Sequence, residues 1–295
     1  MKTPQIDAPD IARELGLEKV YLKREDLHPY GSHKGRSIPV MIDLKIAEGK
    51  KDFAISSSGN AALAAIRHIQ KRNSNGDGLS LAIFIGENIN PTKRQALIDE
   101  IKDPAITIEE TPRPLQTLFR LIAGGGKESL RQSTDDDALA GYRELASEME
   151  ATPDLGAIFI GTSSGTTAEA LAKYFIESSA KTGKSIPQIH IVQTTGNSPL
   201  AREFQAEENE PEISLADAIV DKVVNRRVSL VDAVRPTGGT GWIASNADIE
   251  RAIALLKASG IEATGNGALG LAGLIKARSK GIQFSGSVIC IITGK

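Results

Sequence analysis

Lys34 stands in the run Lys23-Arg24-Glu25-Asp26-Leu27-His28-Pro29-Tyr30-Gly31-Ser32-His33-Lys34-Gly35-Arg36. A strand pattern enters this run, Pro29 and Gly31 break it, and a helical pattern follows. Lys34 therefore occupies a strand-loop-helix corner, from which an amine can point into a cleft and act as nucleophile or base. A lone lysine at such a corner is ordinarily solvated, so its interest lies in its company. Ser56-Ser57-Ser58-Gly59-Asn60-Ala61-Ala62 follows a strand and opens a helix, where backbone N–H groups bind anions. Its small side chains let a carboxylate come close and Asn60 adds a directed amide, although a plain helix-capping loop has the same composition. Gly161-Thr162-Ser163-Ser164-Gly165-Thr166-Thr167 also joins a strand to a helix, and its N–H groups and hydroxyls suit a phosphate. No Gly-Lys-Ser/Thr follows it, which argues against a nucleotide-hydrolysing loop. Thr293-Gly294-Lys295 ends the last strand, and a hydroxyl there is placed for a ligand at the carboxyl edge of an open α/β sheet.

The elements that must position these groups alternate as in parallel sheets covered by helices. Strands are predicted at Val20–Leu22, Phe53–Ile55, Leu81–Ile85, Ala157–Ile160, Ile189–Val192 and Ser287–Ile292. Helices are predicted at Ala61–Lys71, Pro91–Ile101, Ala168–Ser178 and Asp248–Ser259, the last closed by Gly260. Asn73–Gly78, Gly124–Gly126 and Thr237–Gly241 read as loops. Asp135-Asp136-Asp137 reads as acids favoured at a helix start, since adjacent side chains there cannot converge on one metal ion. Gly265-Asn266-Gly267-Ala268-Leu269-Gly270 matches a dinucleotide fingerprint in letters only. A helix exit precedes it, and no Asp or Glu follows Glu262 to hold a ribose. Its glycines are expected to let a helix pack closely.

With 295 residues the chain is expected to form two domains. A net charge of -2 gives no basic surface for nucleic acid. No apolar run approaches the roughly 20 residues that span a bilayer, and Met1-Lys2-Thr3-Pro4 has no secretory apolar core. The single cysteine, Cys290, lies in an apolar run, reads as a packing residue and fits a reducing cytoplasm. No metal site is expected.

Taken in order, the lysine segment, the Ser-Gly-Asn loop, the phosphate-type loop and the terminal hydroxyl resemble the fold type II pyridoxal-phosphate enzymes. That group includes tryptophan synthase β, threonine synthase, cysteine synthase and the serine/threonine dehydratases. The resemblance runs from Thr3-Pro4 to Thr293-Gly294. It implies two open twisted sheets flanked by helices, with residues 1–35 and 146–295 in a large cofactor domain and 36–145 in a smaller, mobile substrate-carboxylate domain. It implies pyridoxal 5'-phosphate as cofactor, carried by Lys34 as an imine, with His33 beside it and Asn60 on the ring hydroxyl. It further implies the phosphate in a loop of Gly161, Ser163, Ser164, Gly165, Thr166 and Thr167, with Thr293 at the ring nitrogen. Ser57, Ser58, Gly59 and Ala61 would hold the substrate carboxylate. The implied protein is a cytoplasmic homodimer acting on a small amino acid, without nucleic-acid or membrane partners.

Ser-Ser-Gly-Asn-Ala and the terminal Thr-Gly resemble threonine synthase most. The implied reaction is β- or γ-elimination or replacement on O-phosphohomoserine, threonine or serine. Cysteine-synthase-like replacement, tryptophan-synthase-like replacement and a non-catalytic cofactor-binding protein are the alternatives. Ile55 stands where tryptophan synthase β carries a catalytic glutamate. His33 and Gly35 flank the lysine where other branches carry Phe and Asp. Ser163-Ser164 replaces glycine in the phosphate loop, and the stretch before Ala157 is shorter than in relatives. O-phosphohomoserine would need a second anion site, for which Lys23, Arg24 and Arg36 are candidates if they are not solvated surface charges.

Overall fold

The computed structural model describes residues 2–204 and 213–294; Met1 and Lys295, which belong to the terminal motifs above, lie outside the described residues. By contacts the chain divides into Met1–His28 with Tyr142–Lys295, and Pro29–Gly141. The sequence expectation cut the chain at 35/36 and 145/146, which would have put Lys34 in the first of these units. The first unit opens with strand β1 (Gln5–Asp7), helix α1 (Pro9–Leu15) and strand β2 (Lys19–Arg24).

The second unit begins with α2 (Lys34–Ala47), β3 (Asp52–Ser56), α3 (Asn60–Asn73) and β4 (Ser80–Gly86). It continues through α4 (Pro91–Glu100), β5 (Ile106–Thr111), α5 (Pro114–Ala123), β6 (Glu128–Ser129) and the short α6 (Asp137–Ala140). Its strands pair in the order β5-β4-β3-β6, all parallel. Ile55, Leu81, Ile83 and Ile85 of the sheet pack with Ile38 and Ile42 of α2 and Ile66 and Ile69 of α3. The loop before Lys34 joins this unit because Arg67 on α3 donates to the Tyr30 carbonyl at 2.8 Å. A methyl at Gly31, where φ is +83°, would lie 2.8 Å from that guanidinium.

The chain then returns to the first unit with α7 (Arg143–Glu150), β7 (Leu155–Gly161), α8 (Thr166–Thr182) and β8 (Gln188–Thr194). There follow α9 (Arg227–Val234), β9 (Gly241–Ala244), α10 (Asn246–Ala258), α11 (Gly265–Ser279) and β10 (Ser287–Ile292). The six strands run β1-β2-β10-β7-β8-β9, parallel except for β1. Every residue of β10 is buried, Cys290 included, and burial pushes its thiol pKa up. The Gly265–Gly270 motif opens α11 after a loop, with Thr264 accepting from the Gly267 N–H, and no strand precedes it. A Cβ on Gly270 would meet the carbonyls of Phe159 and Ile291 at 2.9 and 3.1 Å. Gly270 therefore serves close packing on the strands, as the sequence suggested, while Gly265 and Gly267 lie close to the carbonyls of Leu215 and Gly294.

The six expected strands and four expected helices are all present, with ends displaced by a few residues. Strands β1, β5, β6 and β9 were not expected, and Gly241 begins β9 where the sequence suggested loop. Asp135 accepts from the Asp137 N–H at 3.0 Å at the start of α6, and Lys45 pairs with Asp135 and Asp137 at 3.0 and 3.3 Å.

His190 ties β8 to β9: its Nδ1 accepts from Thr240 N and Trp242 Nε1, both at 3.2 Å, while its ring stacks on Phe159 at 4.4 Å. Burial lowers its pKa from 6.5 to about 3. The folded value lies below the unfolded one, so the unfolded chain binds the extra proton between them, and stability is lost as pH falls below about 6.5. His190→Gln is expected to be less stable at neutral pH yet to show a shallower loss between pH 6.5 and 4 in urea titrations. Equal slopes for the two proteins would contradict this.

Candidate functional site

Lys34 opens α2, and its backbone N–H lies 3.3 Å from Ser32 Oγ, a fully buried hydroxyl. The side chain is half-buried, and Nζ donates to Gln132 Oε1 at 2.6 Å. Gln132 is buried in a 3₁₀ turn, Gln132–Thr134, just beyond β6. β6 pairs with β3 through Phe53↔Glu128 and Ala54↔Ser129, and Leu130 N continues the ladder to Ala54 O at 2.9 Å. The lysine amine is thus held at the carboxyl end of the β3/β6 pair. β3 leads directly into Ser57-Ser58-Gly59-Asn60, so the second unit gathers Lys34, His33 and the Ser-Gly-Asn loop at one sheet end.

Within that loop Gly59 N lies 3.3 Å from Ser57 Oγ, and no side chain caps α3. Ser57, Ser58, Gly59, Asn60 and Ala61 are all half-buried, and a Cβ on Gly59 would find nothing within 4 Å. Open space before an uncapped helix start fits a carboxylate or ring hydroxyl. Gln132 was not singled out from the sequence. It lies 98 residues from Lys34 in a stretch with no periodic pattern, so only the β3/β6 pairing reveals it.

The first unit holds the other candidates. Gly161 ends β7, and a Cβ there would meet Leu269 of α11 at 2.8 Å. Thr162 Oγ1 accepts from Gly165 N at 3.0 Å, Gly165 takes φ +84°, and α8 starts at Thr166 without a side-chain cap. That start fits a phosphate through its N–H groups and positive dipole end. Ser164 and Thr166 share a hydroxyl contact at 3.0 Å, and Thr166 and Thr167 are buried. Ser163 instead donates to Asp221 Oδ2 at 2.8 Å, an acidic neighbour unforeseen in the sequence. Thr293, just past β10, is buried and donates to the Asn266 carbonyl in the first turn of α11 at 3.1 Å.

Lys23 and Arg24 are committed inside the first unit and are neither surface charges nor spare anion donors. Lys23, 1% exposed, donates to Thr3 O at 2.9 Å and to the Glu148 carboxylate. Arg24 makes a two-pronged contact with Asp26 at 2.8 and 2.7 Å. Arg36 is buried as well.

The family described as "Pyridoxal-phosphate dependent enzyme" matches residues 1–294, and the chain belongs to that family. Its cofactor is pyridoxal phosphate, and the resemblance to fold type II enzymes holds over the whole chain. The threonine synthase of Methanosarcina acetivorans is 25% identical over 99% of this chain and 74% of its own length. That of Synechocystis is 26% identical over 99% of this chain and 75% of its own. In fold, the chain superposes on threonine deaminase isoform 2 of Solanum lycopersicum with TM-score 0.80 at 20% identity, covering 100% of this chain and 79% of that one. A pyridoxal 5'-phosphate-dependent aspartate racemase gives TM-score 0.83 at 19% identity, covering 100% and 90%. Among the described residues no helix is long and apolar enough to cross a membrane.

Gly165 is the position in the phosphate-type loop where backbone geometry binds tightest. A Cβ at its positive φ would also press on Leu200 and Leu230 at 3.2 Å. Gly165→Ala is expected to cost about 1–2 kcal/mol of stability and to release cofactor more readily. An unchanged urea midpoint and unchanged cofactor retention would count against that.

Proposed function

We propose that the protein is a pyridoxal-phosphate-dependent lyase of threonine-synthase-like type, acting by β- or γ-elimination or replacement on a small amino acid. The observation that carries this reading is Lys34: an amine at a helix start, oriented by buried Gln132, at the sheet end that also presents Ser57–Asn60. Lys34 would bind the cofactor and then move a proton at the substrate Cα. When bound, the cofactor's ring takes up the electron density that develops there. Asn60, with His33 beside the lysine, would orient the ring. Ser57, Ser58, Gly59 and Ala61 would receive the substrate carboxylate. Gly161, Ser164, Gly165, Thr166 and Thr167 would seat the phosphate at the start of α8, with Ser163 at its edge. Thr293 would meet the ring nitrogen with an uncharged hydroxyl, which suits elimination or replacement better than transamination.

Among the candidate substrates, the burial and pairing of Lys23 and Arg24 argue against O-phosphohomoserine, whose phosphate needs its own cations. Serine or threonine makes no such demand. The threonine synthase relatives support the reaction class, and their identity of about a quarter leaves room for a different side chain. We further propose a homodimer in the cytoplasm, on the family resemblance alone.

The purified protein should absorb in the visible region, and borohydride should fix the cofactor onto the peptide containing Lys34. Lys34→Ala should lose that attachment and at least ~10²-fold in turnover. Ammonia release from serine or threonine should exceed phosphate release from O-phosphohomoserine. Cofactor found on another lysine would sink the assignment. Attachment at Lys34 without release from any of the three would leave the non-catalytic alternative standing.

A further inference from the structure

One segment of the first unit runs across the phosphate-type loop and is held there by side chains. Asn246 Nδ2 donates to Ile213 O and its Oδ1 accepts from Leu215 N, both at 2.9 Å. Asn266 Oδ1 accepts from Ala218 N at 2.9 Å, while its Nδ2 donates to Asp217 Oδ1 at 2.9 Å. Asn197 Nδ2 donates to the carbonyls of Ile219 and Asp221 at 3.2 Å each. The segment thus bridges the starts of α10 and α11 and ends on Ser163.

At Ser163 the hydroxyl is used up. It donates to Asp221 Oδ2 at 2.8 Å and accepts from Val220 N and Asp221 N at 3.1 Å each. A serine hydroxyl has one proton and two lone pairs, so nothing remains for a second ligand. The Asp221 carboxylate also stands one hydrogen bond from a loop whose other features favour an anion, and two anions that close oppose each other. Ala216 of this stretch is buried in the first unit's core and Ile219 packs against it, whereas Val220 and Val223 are 65% and 79% exposed, so little apolar burial holds the end at Asp221.

We propose that Asp221 is the residue that sets the anion affinity of this loop. Its carboxylate and a bound phosphate compete for the Ser163 hydroxyl, and loading the phosphate releases the segment ending at Asp221. The inference rests on the reading of Gly161–Thr167 as the cofactor's phosphate loop. Asp221 acts as a built-in stand-in anion: it keeps the loop ordered without phosphate and lowers the loop's affinity for it.

The test uses protein stripped of cofactor, with inorganic phosphate as the probe and pyridoxal, which lacks phosphate, as the control. Asp221→Asn keeps an acceptor for Ser163 but removes the charge, so it should bind phosphate and pyridoxal phosphate at least about tenfold tighter. Its affinity for pyridoxal should be unchanged. In the wild type, the amides of Val220 and Asp221 should exchange faster with deuterium once phosphate saturates. The exchange measurement needs no variant, so poor folding of Asp221→Asn would not spare the proposal. Phosphate binding with unaltered exchange, or equal affinities in variant and wild type, would overturn it while leaving the cofactor reading intact. No phosphate or pyridoxal phosphate binding in any version, with no attachment at Lys34, would overturn both.

Discussion

The distance between α11 and the strands beneath it sets where the first unit's chemistry can sit. Gly270 brings that helix so near β7 and β10 that an added methyl would touch the carbonyls of Phe159 and Ile291. These two strands are adjacent and parallel, so their carboxyl ends emerge side by side. One end delivers Gly161 and the turn into α8, and the other delivers Thr293. Leu269 of the same helix presses on Gly161, and Asn266 of its first turn receives the Thr293 hydroxyl. A bulkier helix face would move both strand ends, and with them the loop and the hydroxyl.

Charge plays a framing part in this unit. Lys23 with Glu148, and Glu169 with Arg226 at 3.2 Å, are buried ion pairs, and half-exposed Lys173 adds a contact to Glu169 at 2.6 Å. Taking such charges out of water is costly, and pairing offsets the cost mainly where geometry is fixed. The pairs therefore join specified elements: β2 to α7 in the first case, and α8 to the residue preceding α9 in the second. Glu169 also lies in the first turn of α8, where the helix dipole favours an acid.

Much of this was legible in the sequence for a physical reason. Strands buried on both faces read as continuous apolar runs, so β3, β4, β7, β8 and β10 announced themselves, as did the Lys34 corner and the small-residue loops after β3 and β7. Strands β5, β6 and β9 did not. Ile-Thr-Ile-Glu-Glu-Thr at β5 alternates weakly at an exposed sheet edge, and β6 has only Glu128 and Ser129. Gly241 and Trp242 follow a glycine cluster that masks β9. Arg24 is held by Asp26 only two residues on, but Lys23 looked like a solvated charge because its partner 125 residues away leaves no local trace. Gln132 and Asp221 escaped for the same reason: a side chain's role at a site assembled from distant segments depends on the pairing of strands, which composition does not encode.

The contrast between the two uncapped helix starts follows from how each loop is anchored. Before α3, Ser57 bonds only to its own neighbour, and the space beside Gly59 is open. Before α8, a segment with no sheet or helix ladder of its own is fastened by asparagine side chains and one serine. Such side-chain-to-backbone bonds can replace a ladder locally, but each contributes only about 1 kcal/mol net, and beyond Ala216 and Ile219 little buried apolar surface adds to them. A stretch held in that way lies at the low end of local stability, where opening is cheap. The first turn of α11 thus holds this segment through the Asn266 side chain and the close approach of Gly265 to Leu215. Asn266, whose carbonyl receives the Thr293 hydroxyl, anchors one part of that segment, and Ser163 anchors its end at Asp221.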